Sequence, residues 1–160
     1  MEARGALRAS RSARIRLGAA PSAVFPLFTP EGERRWVEGW NPESVYPADG
    51  AAELHSVFLT HNHAAQPSIW AIVGLDAEHF RVSYLRAAPD SHVAFIAVEC
   101  VEDGPGRTVA TVSYTFTGLS AAGNDYVAGF TPEHYGEWIG QWEVAINRYL
   151  DSLRHASKMA

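Results

Sequence analysis

The stretch Tyr135-Gly136-Glu137-Trp138-Ile139-Gly140-Gln141-Trp142-Glu143-Val144-Ala145-Ile146-Asn147-Arg148-Tyr149-Leu150-Asp151-Ser152-Leu153 decides how the rest of the chain is read. Tyr135, Trp138, Ile139, Trp142, Ala145, Ile146, Tyr149, Leu150 and Leu153 recur at steps of three and four, which aligns them on one face of a long helix. Glu133, Glu137, Gln141, Glu143, Arg148, Asp151 and Arg154 occupy the other face, which the pattern assigns to water. Thr131-Pro132-Glu133 starts this helix, with a proline near the first helical position and an acid near the positive end. Its inward face is unusually aromatic, so whatever it packs against must accommodate large rings.

Working upstream, the partner reads as a sheet. Strand-like runs cover Leu54 to Thr60, Ile69 to Asp76, His79 to Arg86, His92 to Glu102 and Arg107 to Leu119, with turn residues between them. Asp103-Gly104-Pro105-Gly106 joins the last two as an antiparallel hairpin. In the final strand Val112, Tyr114 and Phe116 alternate with Thr111, Ser113, Thr115 and Thr117, the pattern of a sheet wet on one side. Ala13 to Leu17 alternates small or apolar residues with Arg and reads as a first strand. Ala20-Pro21-Ser22 ends it and opens a short helix carrying Val24, Phe25, Leu27 and Phe28. Thr29-Pro30-Glu31-Gly32-Glu33 repeats the start grammar, with Thr29 as cap, and predicts a second short helix through Trp36. Ser120 to Gly129 reads as a small-residue, mobile approach to the long helix, and residues 118–130 are expected to help gate the cavity. The expected class is α+β, a curved antiparallel sheet around one long helix.

The 160 residues suit one domain, expected over 13–155, with a flexible leader at 1–12 and a tail at 156–160. A hydrophobic fraction of 47% and a charged fraction of 19% argue against global disorder. Cys100 is the only cysteine, which excludes an intramolecular disulfide and makes the cytoplasm the expected compartment. No run reaches the roughly 18 apolar residues of a spanning helix, so stable membrane insertion is not expected. Five arginines against Glu2 make the first sixteen residues basic, while the remainder carries the whole excess behind a net charge of −5. Such an acidic body disfavours a nucleic-acid footprint.

Pro21-Ser22-Ala23-Val24-Phe25, followed by Thr29-Pro30-Glu31-Gly32-Glu33-Arg34-Arg35-Trp36-Val37-Glu38-Gly39-Trp40-Asn41-Pro42, resembles the opening of bacterial proteins in the START-like superfamily, also called SRPBCC. The nearest resemblance is to members described as polyketide cyclase/dehydrase-like, and the element order over residues 13 to 154 is similar to their helix-grip fold. The resemblance implies an apolar cavity between sheet and helix that holds lipids, hormones, polyketides or other hydrophobic molecules. Three functions stay open: binding or transport of a small hydrophobic or aromatic ligand, a cyclase/dehydrase-like enzyme, and a protein-interaction module with a vestigial cavity.

Trp36, Trp40, Trp70, Tyr84, Tyr114, Tyr135, Trp138 and Trp142 are candidate walls of that cavity, with His61, Tyr84, Arg86 and Tyr114 as candidate polar contacts for the ligand. Glu99 shares a strand face with Val93, Phe95, Ala97 and Val101; if that face points inward, Glu99 needs a partner such as Arg86, and Glu99, His61 and Tyr114 become acid/base candidates. His61 and His63 can approach one metal from a single strand face, but a third ligand must come from His55 or Glu99, so no metal is expected. Cys100 lies mid-strand among apolar neighbours and no Gly-x-Ser-x-Gly elbow is present, which removes the familiar nucleophiles. Gly118, Gly123 and Gly129 lack phosphate-loop spacing, so no cofactor is implied. The strand from His92 to Cys100 is apolar on both faces, which leaves a homodimer surface open.

Overall fold

In the computed structural model, which describes residues 5–62 and 65–159, seven antiparallel strands form one curved sheet in the order β1-β7-β6-β5-β4-β3-β2. They are β1 (Arg8–Leu17), β2 (Glu43–Tyr46), β3 (Val57–Thr60), β4 (Ser68–Asp76), β5 (Arg81–Ala88), β6 (His92–Glu102) and β7 (Thr108–Gly118). After β1 come α1 (Pro21–Val24), a 3₁₀ turn over Phe25–Phe28, and α2 (Pro30–Glu33); α3 (Ala121–Ala128) and α4 (Pro132–Met159) follow β7. The α+β helix-grip architecture stands. No helix among the described residues is long and apolar enough to cross a membrane.

Several boundaries differ from the sequence expectation. The first strand begins at Arg8 instead of Ala13, so Arg8–Ser12, assigned above to a leader, belongs to the sheet and pairs with β7. Its wet face carries Ser10 and Ser12, whose hydroxyls meet Thr115 and Ser113 at 3.2 and 3.1 Å. Its other face carries small Ala9 and Ala13, so no large apolar alternation marked it. At the other end α4 runs on through Met159, past the expected boundary at residue 155. Backbone hydrogen bonds propagate it about two and a half turns beyond its last buried residue, Leu150.

Within residues 120–129, Ala121–Ala128 forms a capped helix, α3. Ser120 Oγ accepts from Gly123 N at 3.0 Å and donates to Asp90 O at 2.6 Å. Gly123 is needed for proximity, not for flexing, because a Cβ there would lie 1.6 Å from Ser91 O. Thr29 caps α2 as expected, accepting from Gly32 N at 3.1 Å.

Close backbone approach of α4 is to β1, the exposed edge of the sheet. Arg16 N donates to Glu143 Oε1 at 2.6 Å, Gly18 N to Asn147 Oδ1 at 2.9 Å, and Asn147 Nδ2 to Arg16 O at 2.9 Å. Arg154 also donates to Gly18 O. Thus Glu143, half-buried, and Arg154, exposed as its spacing implies, also satisfy backbone groups at this edge, Arg16 N in β1 and Gly18 O just past it, that would otherwise invite another strand. Buried Tyr135, Ile139, Ile146 and Leu150 hold the inward face, each worth about 1.5–3 kcal/mol of apolar burial where fully enclosed. Elsewhere the space between α4 and the sheet is spanned by side chains, which places the candidate site there.

Candidate functional site

Pairing register decides which residues reach the concave face. Phe58, Trp70, Arg86, Ala94 and Phe116 form one cross-strand row, and Ile72, Tyr84, Ile96 and Tyr114 form the next. All but Arg86 are buried. Trp138 and Trp142 descend from α4 onto Tyr114, with ring centroids 4.9 and 6.2 Å away. Trp36 meets Trp142 at 5.4 Å, Trp40 meets Trp70 at 5.5 Å, and Phe58 stacks on Trp70 at 5.4 Å. The expected wall residues are therefore brought together, mostly edge to face, the arrangement ring quadrupoles favour.

Most of the polar tips hold the protein itself together. Trp36 Nε1 donates to Leu27 O and Trp40 Nε1 to Pro30 O, both at 2.8 Å; Trp70 Nε1 donates to Thr60 Oγ1 at 2.9 Å. Tyr84 donates to Phe28 O and Tyr135 to Val112 O, each at 2.6 Å. Tyr114 differs. Its hydroxyl has no hydrogen bond among the described residues, although no described side-chain polar atom is both sealed from solvent and unpartnered. The oxygen therefore keeps some accessible surface, although the residue is 4% exposed. Burial raises the pKa of this phenol, an effect that Arg86 opposes, so it stays protonated and can donate.

Glu33 is the site residue that sequence reasoning missed. On α2, Glu31 points outward to Arg34 at 2.9 Å, and two residues further at about 100° per residue the side chain lies roughly opposite. Although Glu33 as a residue is only half-buried, its carboxyl is desolvated, and burial raises its pKa from 4.5 to about 8. A charge on Glu33 adds to the upward shift that burial gives Tyr84 and Tyr114. Thr29-Pro30 fixes the start of α2 in the sequence and hence its rotation, which was the available signal.

The other polar candidates go elsewhere. Glu99 is on the convex face and pairs with Arg81 at 2.6 Å, in an open depression of about 290 Å³ shared with Ser83, Thr111 and Ser113. The inward face of β6 is His92, Ala94, Ile96, Val98 and Cys100, which removes both the Glu99–Arg86 pair and Glu99 as an internal acid/base. Alternation alone was ambiguous because both faces are apolar. His61 is exposed and bonded to Glu43 at 2.6 Å, outside the ring-lined space, so it neither lines the cavity nor serves it as an acid/base. His63 lies outside the described residues. His55 sits exposed in a turn with φ 72°, and among the described residues no three His, Cys, Asp or Glu side chains cluster for a metal. Cys100 is buried, and burial pushes its thiol up to about 12, which suppresses thiolate chemistry.

Arg86 is inward-facing and marks one end of the concavity. Its guanidinium carbon lies 5.3 Å from the Trp70 ring centre and 5.9 Å from that of Tyr114. Nη2 reaches His92 Nε2 at 3.1 Å, and His92 stacks on Tyr126 at 4.0 Å. Beside them is a cavity of about 210 Å³ lined by Ser68, Arg86, Ser91, His92 and Tyr126 among others.

A sheet gripping one long helix, with an aromatic concavity between them, defines a helix-grip protein. No protein-family model matches the chain, and no curated protein matches it by sequence. Among solved structures it is similar to norcoclaurine synthase from Thalictrum flavum, at 9% identity and a TM-score of 0.65 over 91% of this chain and 87% of that one. It is also similar to Ara h 8.0201, at 14% identity and a TM-score of 0.65 over 91% and 99%. A hypothetical protein from Helicobacter pylori gives 11% identity and a TM-score of 0.69 over 88% and 87%. Identities this low establish the fold alone.

Proposed function

We propose that this protein binds a small hydrophobic or aromatic molecule between the concave sheet and α4. The observation that supports the reading is the Tyr114 hydroxyl, without a hydrogen-bond partner among the described residues and surrounded by the rings of Trp138 and Trp142. Trp36, Trp40, Trp70, Trp138 and Trp142 supply apolar contact area, while Tyr114 and Glu33 orient a polar group on the ligand. Native mass spectrometry of the purified protein tests this: a small molecule retained by the wild type and released by Trp138→Ala with Trp142→Ala is the expected outcome. If wild type carries no guest and takes up none from a library of apolar aromatics, the reading fails.

Glu33 favours a second reading, a cyclase/dehydrase-like enzyme working in the same concavity. A carboxyl with a pKa near 8 exchanges a proton close to neutral pH, as general acid/base chemistry requires. Here Glu33 replaces Glu99 and His61 as the candidate, with Tyr114 as hydrogen-bond donor; the similarity to a protein named norcoclaurine synthase fits an enzyme on this fold. Turnover abolished by Glu33→Gln while ligand retention persists would separate enzyme from carrier. A cytoplasmic location and a homodimer through the convex face, where Phe95 is 53% exposed, complete the proposal; equilibrium sedimentation checks the dimer.

A further inference from the structure

Arg86 is a cation with no counter-ion among the described residues. Among the described residues it enters no ion pair, and no Asp or Glu lines the neighbouring cavity. Of its five N–H donors, recorded hydrogen bonds use only those on Nη2, to His92 at 3.1 Å and weakly to the Tyr126 hydroxyl at 3.5 Å. The one N–H of Nε and the two of Nη1 remain; a carboxylate reaches Nη1, and forms an end-on fork with Nη2 where it displaces the weak contact to Tyr126.

The surroundings fix the charge of the pocket. A guanidinium only donates, so His92 Nε2 must be the acceptor, and the ring proton sits on Nδ1, where it donates to Ser91 Oγ at 2.8 Å. A protonated imidazole would turn a donor toward Arg86. Burial and the adjacent guanidinium accordingly hold the His92 pKa at about 4, leaving the imidazole neutral. The cluster therefore presents one positive charge. A cavity of about 210 Å³ is smaller than the roughly 300–1,000 Å³ of a typical whole-ligand site, so it suits a head group. Arg86 is common to this pocket and to the aromatic concavity, since its guanidinium lies over the rings of Trp70 and Tyr114.

We propose that the Arg86 pocket takes the carboxylate of an apolar monocarboxylic acid whose tail lies along Trp70 and Tyr114. This rests on the ring-lined space being a ligand site and adds the chemical class of its occupant. A single guanidinium beside a neutral imidazole matches one negative charge. A phosphate monoester, near two charges at neutral pH, would meet too little compensation there.

The test uses the full chain and compounds with matched tails: 4-phenylbutyrate, 4-phenylbutanol, and 4-phenylbutyl phosphate, with affinities from isothermal titration calorimetry at pH 7. The acid is expected to bind at least tenfold more tightly than the alcohol and the phosphate. Arg86→Gln should lower acid affinity to that of the alcohol without moving the alcohol, and Arg86→Lys should retain part of the preference. Trp138→Ala should weaken acid and alcohol by the same factor. Equal binding of acid and alcohol to wild type overturns the carboxylate assignment alone, as does tighter binding of the phosphate or an acid preference that survives Arg86→Gln. Failure of both acid and alcohol to bind sinks the ligand-site reading itself, and the carboxylate assignment falls with it. Should Arg86→Gln not fold, the wild-type comparison and Arg86→Lys still decide the matter.

Discussion

Replacing Glu33 by Gln probes the ring-lined site through stability, with no knowledge of the ligand. The carboxyl has a pKa of about 8 in the folded chain against 4.5 as an ordinary group, so between those values the folded state holds a proton that the unfolded state has lost. Stability therefore falls as pH rises through this window, by about 1.4 kcal/mol per pH unit at most. His92 acts in the opposite sense, because its folded pKa of about 4 is below the ordinary 6.5. Between about pH 4 and 6.5 the unfolded state binds that proton and the folded state does not, so stability rises with pH. The two contributions cancel up to pH 6.5, and Glu33 acts alone from there to about 8. That leaves a decline of about 2 kcal/mol over 1.5 pH units as an upper value, reduced by the partial exposure of the residue. Asp76, held low by His79, titrates below this window. Urea unfolding followed by tryptophan fluorescence at pH 6.5, 7.0, 7.5 and 8.0 should show wild type losing stability while Glu33→Gln stays level. The Glu33 carboxyl carbon should titrate near 8 by NMR. Parallel curves for the two proteins, or a carboxyl that titrates near 4.5, would refute the placement of Glu33 in the concavity.

Two further outcomes follow from the packing. Gly123→Ala places a Cβ 1.6 Å from Ser91 O, where backbone and not a flexible side chain must move, so thermal unfolding should register a loss of more than about 3 kcal/mol or no folded protein at all. Glu99→Gln breaks only an exposed pair with Arg81, so unfolding free energy should change by less than about 1 kcal/mol and ligand retention not at all; loss of retention would return Glu99 to the interior.

The strand from His92 to Glu102 shows how far pattern reasoning reaches. Alternation fixes its limits but makes Glu99 interior only on the condition that the Val93-to-Val101 face points inward, and the inward face is His92 to Cys100. A period of two identifies a strand, but with apolar residues on both sides it does not say which side meets α4. Tyr84 and Arg86 were placed on the correct side because β5 alternates more clearly, and the ladder Tyr84 to Ile96 to Tyr114 then sets the face of β6. Glu33 escaped notice because it was read as a helix-start acid, a role equally satisfied by Glu31.

The order of local periods along the chain was enough for the architecture: 3.6-residue spacing over the last thirty residues, alternation before it, and proline-marked starts between. These signals are local, since each depends on residues within a turn or two of one another. The chemistry of the concavity is not local. Among the described residues Tyr114 has no hydrogen-bond partner and Arg86 no counter-ion, and Glu33 is desolvated, through groups far away along the chain. Those environments exist only after sheet register and the rotation of α2 have brought distant side chains into the same low-dielectric space.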